Sequence, residues 1–168
     1  MYSFKPTFHQ NSARTAATTV ARPAEMNYDQ ETMHLSTHLV FSGQCREAFE
    51  FYARTLGGTI EGMLAYGDTP AAAEMPADWS AKIVHATLSF GGQKLMGADV
   101  LARHYERPQG FYVLLSEEPA KARTVFEALA EGGTVKMPLQ ETFWSPAFGV
   151  VVDRFGIPWE INAEAAEG

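Results

Sequence analysis

Apolar residues from Leu35 onward follow two different periods. Leu35 to Ser42 (LSTHLVFS) reads as a β-strand that closes on Gly43. Residues 44 to 56 predict an amphipathic helix, because one helical face collects the side chains Ala48, Phe49, Phe51, Tyr52 and Leu56. Gly57-Gly58 then supplies the left-handed stop that a helix C-terminus favours. The pattern therefore predicts a strand followed by a helix.

Three more strands complete the first half of the chain. We predict them at Thr59 to Tyr66, Lys82 to Phe90 and Gln93 to Ala98. A loop rich in Pro and Ala, running to about Ser80, separates the first two. Gly91-Gly92 joins the last two and suits a tight hairpin turn.

The same order of elements returns in the second half. Gly110 to Ser116 reads as a strand, and Pro119 to Glu131 reads as a helix with the proline in its first turn, where it costs little. Gly132-Gly133 ends that helix. The remaining strands are predicted at Thr134 to Leu139, Phe148 to Arg154 and Ile157 to Asn162.

Short sequence blocks recur together with these elements. Gly57-Gly58-Thr59-Ile60 returns as Gly132-Gly133-Thr134-Val135, and Phe90-Gly91 returns as Phe155-Gly156. Neither half can bury the apolar face of its own short sheet, so pairing of the halves, or of two chains, is expected. We predict one α+β domain over residues 34–165, built from two βαβββ modules at about 35–100 and 109–163.

Residues 1–33 are of a different kind. They are rich in Ala, Thr, Ser, Asn and Pro and show no strand or helix period, so we interpret them as a flexible arm. Their first 24 residues carry Lys5, Arg14 and Arg22 and no acid. A start at Met33 is an open alternative.

Composition excludes several classes of function. A net charge of -7 disfavours nucleic-acid binding, which needs Lys and Arg to neutralise phosphates. No apolar run approaches the roughly 18 residues of a membrane span. The single cysteine, Cys45, cannot form an internal disulfide, which agrees with a reducing cytoplasm.

Several blocks carry a family likeness between Leu35 and Asn162. They are the run from Gly43 to Tyr52 (GQCREAFEFY), the strand around Ile83-Val84-His85-Ala86, the run Leu95 to Asp99 (LMGAD), Gln140 to Trp144 (QETFW), and the tail with Asp153, Phe155-Gly156 and Pro158-Trp159. Together these blocks resemble the PhnB-like branch of the vicinal oxygen chelate superfamily, which includes glyoxalases and bleomycin-resistance proteins.

The resemblance implies a fold and a candidate metal site. Its two modules have curved mixed sheets that enclose a cup, commonly in a homodimer, and the cup often holds a divalent metal ion. Carried over by register, the metal-ligand positions fall near Thr37, Met96, Phe111 and Glu160, of which only Glu160 is a good ligand. His38 lies one residue from the expected position, and such a slip turns a strand side chain to the opposite face.

Two sets of candidate site residues follow. His38, His85 and Glu160 form a looser set of metal ligands, with Asp99 as a further oxygen donor. A core or interface role is the alternative for each histidine, and a place on the solvated face is the alternative for Glu160. The predicted ligand pocket contains His85, Met96, Asp99, Phe111 and Trp144.

Other polar residues carry weaker predictions. Cys45 begins a helix, where free N–H groups lower a thiol pKa, but no base accompanies it and a structural role is favoured. Asp153 and Arg154 are interpreted as structural. Arg103, His104 and Arg107 belong to the link between modules, either as a solvated linker or as an anion-binding loop.

Two functions therefore remain open, with a third behind them. The first is a protein that binds a small molecule in the cup without turnover and needs no cofactor. The second is an enzyme of the lyase, isomerase or dioxygenase kind that uses a divalent metal as a Lewis acid. The third is a self-associating protein whose cup is filled by side chains. No glycine-rich strand-to-helix loop suggests S-adenosylmethionine binding, so methyl transfer is not favoured.

Overall fold

The computed structural model describes residues 35–164. The predicted N-terminal arm and the end residues 34 and 165 of the predicted domain lie outside the described range. No helix in this range is long and apolar enough to cross a membrane.

The first module has the predicted βαβββ order. Its elements are β1 (Thr37–Phe41), α1 (Cys45–Leu56), β2 (Thr59–Ala65), β3 (Ile83–Phe90) and β4 (Gln93–Asp99). The four strands form one mixed sheet in the order β1-β4-β3-β2, in which β1 and β4 are parallel. Three short 3-10 turns occupy the Pro/Ala-rich loop between β2 and β3.

The second module repeats this topology. Its elements are β5 (Val113–Glu117), α2 (Pro119–Ala130), β6 (Thr134–Gln140), β7 (Phe148–Val152) and β8 (Pro158–Ala163). Its sheet has the equivalent order β5-β8-β7-β6, with β5 and β8 parallel. The predicted α+β fold of two βαβββ modules is confirmed.

The repeated Gly-Gly pair has the same structural cause in both modules. Gly57 and Gly132, which follow the two helices, have φ angles of 69° and 70°, in the left-handed region that favours glycine. The next glycine approaches a neighbouring strand closely: a Cβ on Gly58 would lie 2.8 Å from the carbonyl oxygen of Ser89, and one on Gly133 would lie 2.5 Å from that of Val152. The pair therefore ends the helix and lets the chain pass close to the sheet.

The second recurring block does not mark equivalent turns. Gly91 and Gly92 both have positive φ and form the tight link between β3 and β4. Gly156, also with positive φ, belongs to the longer connection between β7 and β8. The Phe-Gly recurrence is thus a likeness of sequence without a likeness of turn.

Each sheet buries one face and leaves the other open. The buried faces and both helices share one core, which includes Phe41, Phe49, Tyr52, Phe126 and Trp159. We call the uncovered sides the open faces. Sheet pairing and burial assign His38, Val40, His85, Thr87 and Met96 to the open face of the first sheet, and Leu114, Ser116, Val150, Glu160 and Asn162 to that of the second.

Candidate functional site

Strand register places His38 on an open face. In the parallel pair of β1 and β4, His38 is opposite Met96 and Thr37 is opposite Leu95, which is buried in the core. The expectation that Thr37 shares a face with Met96 is therefore wrong by one residue. Because side chains alternate along a strand, this correction moves His38 onto the side away from the helices.

In the second module, the structure corrects the position that was expected at Phe111. Glu160 is opposite Leu114 in the parallel pair of β5 and β8, just as Met96 is opposite His38. Phe111 precedes β5 and does not occupy the equivalent position. The four positions related by the internal repeat are therefore His38, Met96, Leu114 and Glu160, of which two carry strong metal donors and two carry apolar side chains.

His85 lies on the same open face as His38. Its Nε2 is 3.1 Å from Thr87 Oγ1, and Thr87 is opposite Met96. Partial burial lowers the pKa of His38, and the charge of His85 lowers it further. The charge of His85 therefore acts on His38 although strand β4 separates their strands.

The structure does not gather the predicted metal ligands. His38 and His85 belong to the first sheet, whereas Glu160 belongs to the second. Across residues 35–164, no three His, Cys, Asp or Glu side chains are placed to hold a metal ion together. The donor set of one described chain does not fit a complete metal centre.

Asp99, predicted to line the ligand pocket, has a structural role on the core side of its sheet. Its side chain is buried, and its two carboxylate oxygens accept hydrogen bonds from the backbone N–H groups of Cys45 at 2.9 Å and Ile83 at 2.8 Å. The carboxylate thereby satisfies an N–H at the first turn of α1 and ties it to the start of β3.

The same arrangement agrees with the structural role favoured for Cys45. The thiol is buried, and burial raises its pKa, with the Asp99 carboxylate adding to that effect. A free helix N-terminus would favour a thiolate, but here a carboxylate already occupies it. Cys45 is therefore a structural residue.

Two cavities adjoin the linker between the modules. The first, of about 540 Å³, separates the edge of β1 from the linker and is called the seam cavity; His38, Val40, Arg107, Phe111 and Ile157 contribute to its wall. The second, of about 480 Å³, is called the linker cavity and is lined by residues that include Arg107, Phe111, Tyr112, Lys136 and Val152. Of the predicted pocket residues, Phe111 lines both.

Trp144 belongs to a separate aromatic turn between β6 and β7. Phe143 is 96% exposed and Trp144 is 56% exposed, and their ring centroids are 4.5 Å apart. The turn is fixed to the end of β8, since the buried Ser145 hydroxyl donates a hydrogen bond of 2.8 Å to the carbonyl oxygen of Ala163. Trp144 also packs edge-on against Phe148 of β7. A well-fixed turn thus presents two aromatic rings to the surroundings.

Comparison with known proteins gives the family. The family model described as 3-demethylubiquinone-9 3-methyltransferase matches residues 33–162. Protein YjdN of Escherichia coli (strain K12) is 34% identical over 139 residues, which are 77% of this chain and 95% of that protein. The PhnB protein from Bacillus cereus is 25% identical, with a TM-score of 0.68, over 79% of this chain and all of that one. This chain belongs to the PhnB-like branch of the vicinal oxygen chelate superfamily.

Two other solved structures extend the likeness. The PhnB-like chain is 45% identical to protein PA1353 from Pseudomonas aeruginosa, with a TM-score of 0.72 over 79% of this chain and 98% of that one. The fosfomycin resistance protein FosX from Listeria monocytogenes is 11% identical with a TM-score of 0.54, covering 80% of this chain and 95% of that one. The FosX likeness concerns the fold alone.

The family signatures of this PhnB-like chain are mainly structural. Asp153 is buried and accepts hydrogen bonds from the N–H groups of Phe155 and Ile157 and from Trp159 Nε1. The guanidinium of Arg154 lies 4.2 Å from the ring centroid of Phe51 in the other module. The block from Asp153 to Trp159 therefore holds a turn, in agreement with the structural interpretation of Asp153 and Arg154, and also makes an intermodule contact that the sequence did not predict.

Sequence reasoning missed Lys136 as a residue of the linker cavity. The register of β6 against β7 shifts between Val135 and Met137, so simple alternation does not give the direction of Lys136. No local sequence signal marks this shift. The sequence offers Arg107 as part of an anion-binding loop, but its position in the wall of two cavities emerges only from the folded chain.

Proposed function

We propose that this PhnB-like protein binds a small organic molecule at the seam cavity and the adjoining open face, with no requirement for a metal ion. The observation that carries the proposal is the set of four repeat-related positions. Met96 and Leu114 occupy two of them, so half of the positions offer apolar contact. Binding pockets are commonly apolar with a few placed polar groups, whereas hard and borderline metal ions need several converging N or O donors.

The seam cavity supports the same function. Its volume of about 540 Å³ lies within the ordinary range for sites that hold small ligands. Val40, Phe111 and Ile157 supply apolar wall, while His38 and Gln109 supply groups that can fix the orientation of a ligand. The lowered pKa of His38 favours a neutral imidazole, which can both donate and accept a hydrogen bond.

We do not propose methyl transfer for this chain. A fold does not fix the chemistry that a protein performs, and related sites on one fold serve different reactions.

The experiment is a thermal-shift screen of small molecules, run in parallel with EDTA and with added divalent metals. Stabilising compounds are expected under both conditions, because a ligand that binds the folded state stabilises it by mass action. Phe111→Ala should weaken the stabilisation, whereas Arg123→Ala, which changes an exposed residue of α2 that lines neither cavity, should leave it unchanged.

The opposite pattern would favour the metal-dependent alternative. If stabilisation requires a divalent metal and disappears in Glu160→Gln, the metal-free proposal is wrong. Elemental analysis of the purified protein after metal supplementation gives an independent measurement of the same point.

We also propose a homodimer in which the aromatic turn of Phe143 and Trp144 takes part in the interface. Large aromatic rings fixed in an exposed turn gain free energy when another surface covers them, since each buries on the order of 150–250 Å². Light scattering coupled to size exclusion should give twice the monomer mass. Trp144→Ala should shift the equilibrium toward monomer, while the exposed helix variant Arg123→Ala should not.

A further inference from the structure

The linker connecting the two modules forms a wall shared by the seam cavity and the linker cavity. Arg107, Pro108, Gln109 and Phe111 line both of them. A ligand in either cavity therefore meets the same arginine and the same aromatic ring. The side chains that line the linker cavity therefore help to determine which ligands the protein binds.

The linker cavity is positively charged in a chain that is acidic as a whole. Arg107 and Lys136 line it, and no carboxylate does, although the net charge of the chain is -7. Glu106, the residue before Arg107, lines the seam cavity instead. Neither Arg107 nor Lys136 forms an ion pair with any other residue in the range 35–164. Two cations that no carboxylate among the described residues pairs with favour an anionic ligand between them.

Flat apolar surface accompanies these cations. Phe111 and Tyr112 are about half exposed, and Val152 and Pro158 complete that side of the wall. A planar apolar group can pack on such rings, and an arginine beside them can bind a carboxylate with two parallel hydrogen bonds. Lys136 adds a second positive charge without that directional requirement.

We infer that the ligand belongs to the class of small organic anions, with a flat apolar body and a carboxylate or comparable acidic group. The ligand extends from the seam cavity past the shared wall into the linker cavity, where Arg107 and Lys136 hold the acidic group and Phe111 and Tyr112 contact the apolar body. The inference rests on the proposed small-molecule function and names the class of its ligand. It also assigns Arg107 and Lys136 as specificity-determining residues.

The test compares 2-naphthoate with 2-naphthamide, its uncharged counterpart of nearly the same shape, by isothermal titration calorimetry on the full chain. Wild type should bind the anion more tightly than the amide, and binding of the anion should weaken as NaCl rises. Arg107→Gln and Lys136→Gln should each weaken 2-naphthoate binding by about 10-fold, the effect of losing one charge-assisted contact. Binding of 2-naphthamide should change little.

Arg123→Gln is the matched control, because Arg123 is an exposed arginine of α2 that lines neither cavity. It should bind both probes as wild type does. Circular dichroism and the midpoint of thermal unfolding establish that each variant is folded. Equal binding of the anion and the amide, or wild-type affinity for the anion in both Arg107→Gln and Lys136→Gln, would overturn the inference.

These outcomes separate the inference from the proposed function. If both probes bind equally and Phe111→Ala weakens both, the small-molecule site stands and the anion class is wrong. If neither probe binds wild type while the screen finds neutral stabilisers, the anion class is again wrong. If no compound binds at all, both proposals fail.

Discussion

The hydroxyl of Tyr52 in α1 donates a hydrogen bond of 2.6 Å to Oδ2 of Asp153 in the connection between β7 and β8. This bond joins the two modules inside the core. Burial raises the pKa of Tyr52 well above its usual value, and the Asp153 charge adds to the shift, so the phenol stays protonated. The carboxylate in turn receives three donors from its own module.

Asp153→Asn should destabilise the protein by about 3 kcal/mol, because an amide removes a buried charge that four donors surround and turns an N–H group toward some of them. Tyr52→Phe should cost less, about 1–2 kcal/mol, since it removes one donor and leaves the other three. Chemical denaturation measures both. The exposed substitution Asp68→Asn should stay within about 0.5 kcal/mol of wild type. An equally small effect for Asp153→Asn would contradict the intermodule role.

Gly97 of β4 lies where Phe49 of α1 packs against the sheet, and its lack of a side chain allows this close contact. A Cβ at this position would overlap the ring of Phe49, and it would also lie 3.2 Å from the carbonyl oxygen of Leu39. Gly97→Ala should therefore destabilise by about 1–3 kcal/mol through overpacking. Gly62→Ala is the matched control in another strand, because nothing lies within 4 Å of its added Cβ.

The double variant tests the cause of that loss. Phe49→Leu removes the ring that the Cβ added by Gly97→Ala would meet, so the two substitutions should be less destabilising together than the sum of the single effects. Additive effects would show that the strain at residue 97 does not come from Phe49.

His38 should titrate below 6.5, the ordinary value for histidine, because partial burial and the nearby His85 both disfavour its charged form. The unfolded chain then binds the proton more readily. As far as His38 is concerned, the free energy of unfolding is therefore highest above pH 6.5. It declines as the pH falls below 6.5 toward the folded-state pKa.

Nuclear magnetic resonance titration of the imidazole signals measures this pKa. His85→Gln should move the pKa of His38 upward, but only in part, because burial is the larger cause. Arg123→Gln, at an exposed position of α2, leaves both imidazoles and Thr87 in place and serves as the control. A pKa of His38 above the usual value in wild type would disprove the proposed coupling.

Cys45 should be unreactive in the native protein. Its thiol is buried and its pKa is raised by burial and by Asp99, so the reactive thiolate is scarce. Labelling with Ellman's reagent at pH 8 should be slow in buffer and rapid in guanidinium chloride. Asp99→Ala should increase the native labelling rate, because it releases the first turn of α1. Rapid labelling of the native wild type would contradict the structural assignment.

Local patterns in the sequence were sufficient for the element order and the repeat. The amphipathic face of α1 and the left-handed stop at Gly57 are short-range effects, and the structure has both where the pattern predicts them. Likewise, Gly91-Gly92 predicts a tight hairpin without reference to distant residues, since two adjacent positive φ angles strongly favour glycine.

The candidate site depended on long-range relationships that the pattern does not contain. The direction of His38 follows from its pairing with Met96, and a shift of one residue reverses it. The sequence pattern predicts Asp99 in a ligand pocket, and only the approach of the backbone N–H groups of Cys45 and Ile83 reveals its structural role.

The sequence by itself determined two α+β modules of the same order, because strand and helix periods and glycine stops act over a few residues. Tertiary structure alone decided which polar groups meet, since that depends on strand register and on contacts between distant segments. Thus Asp153 became a buried partner of Tyr52, and Arg107 and Lys136 came to line one cavity.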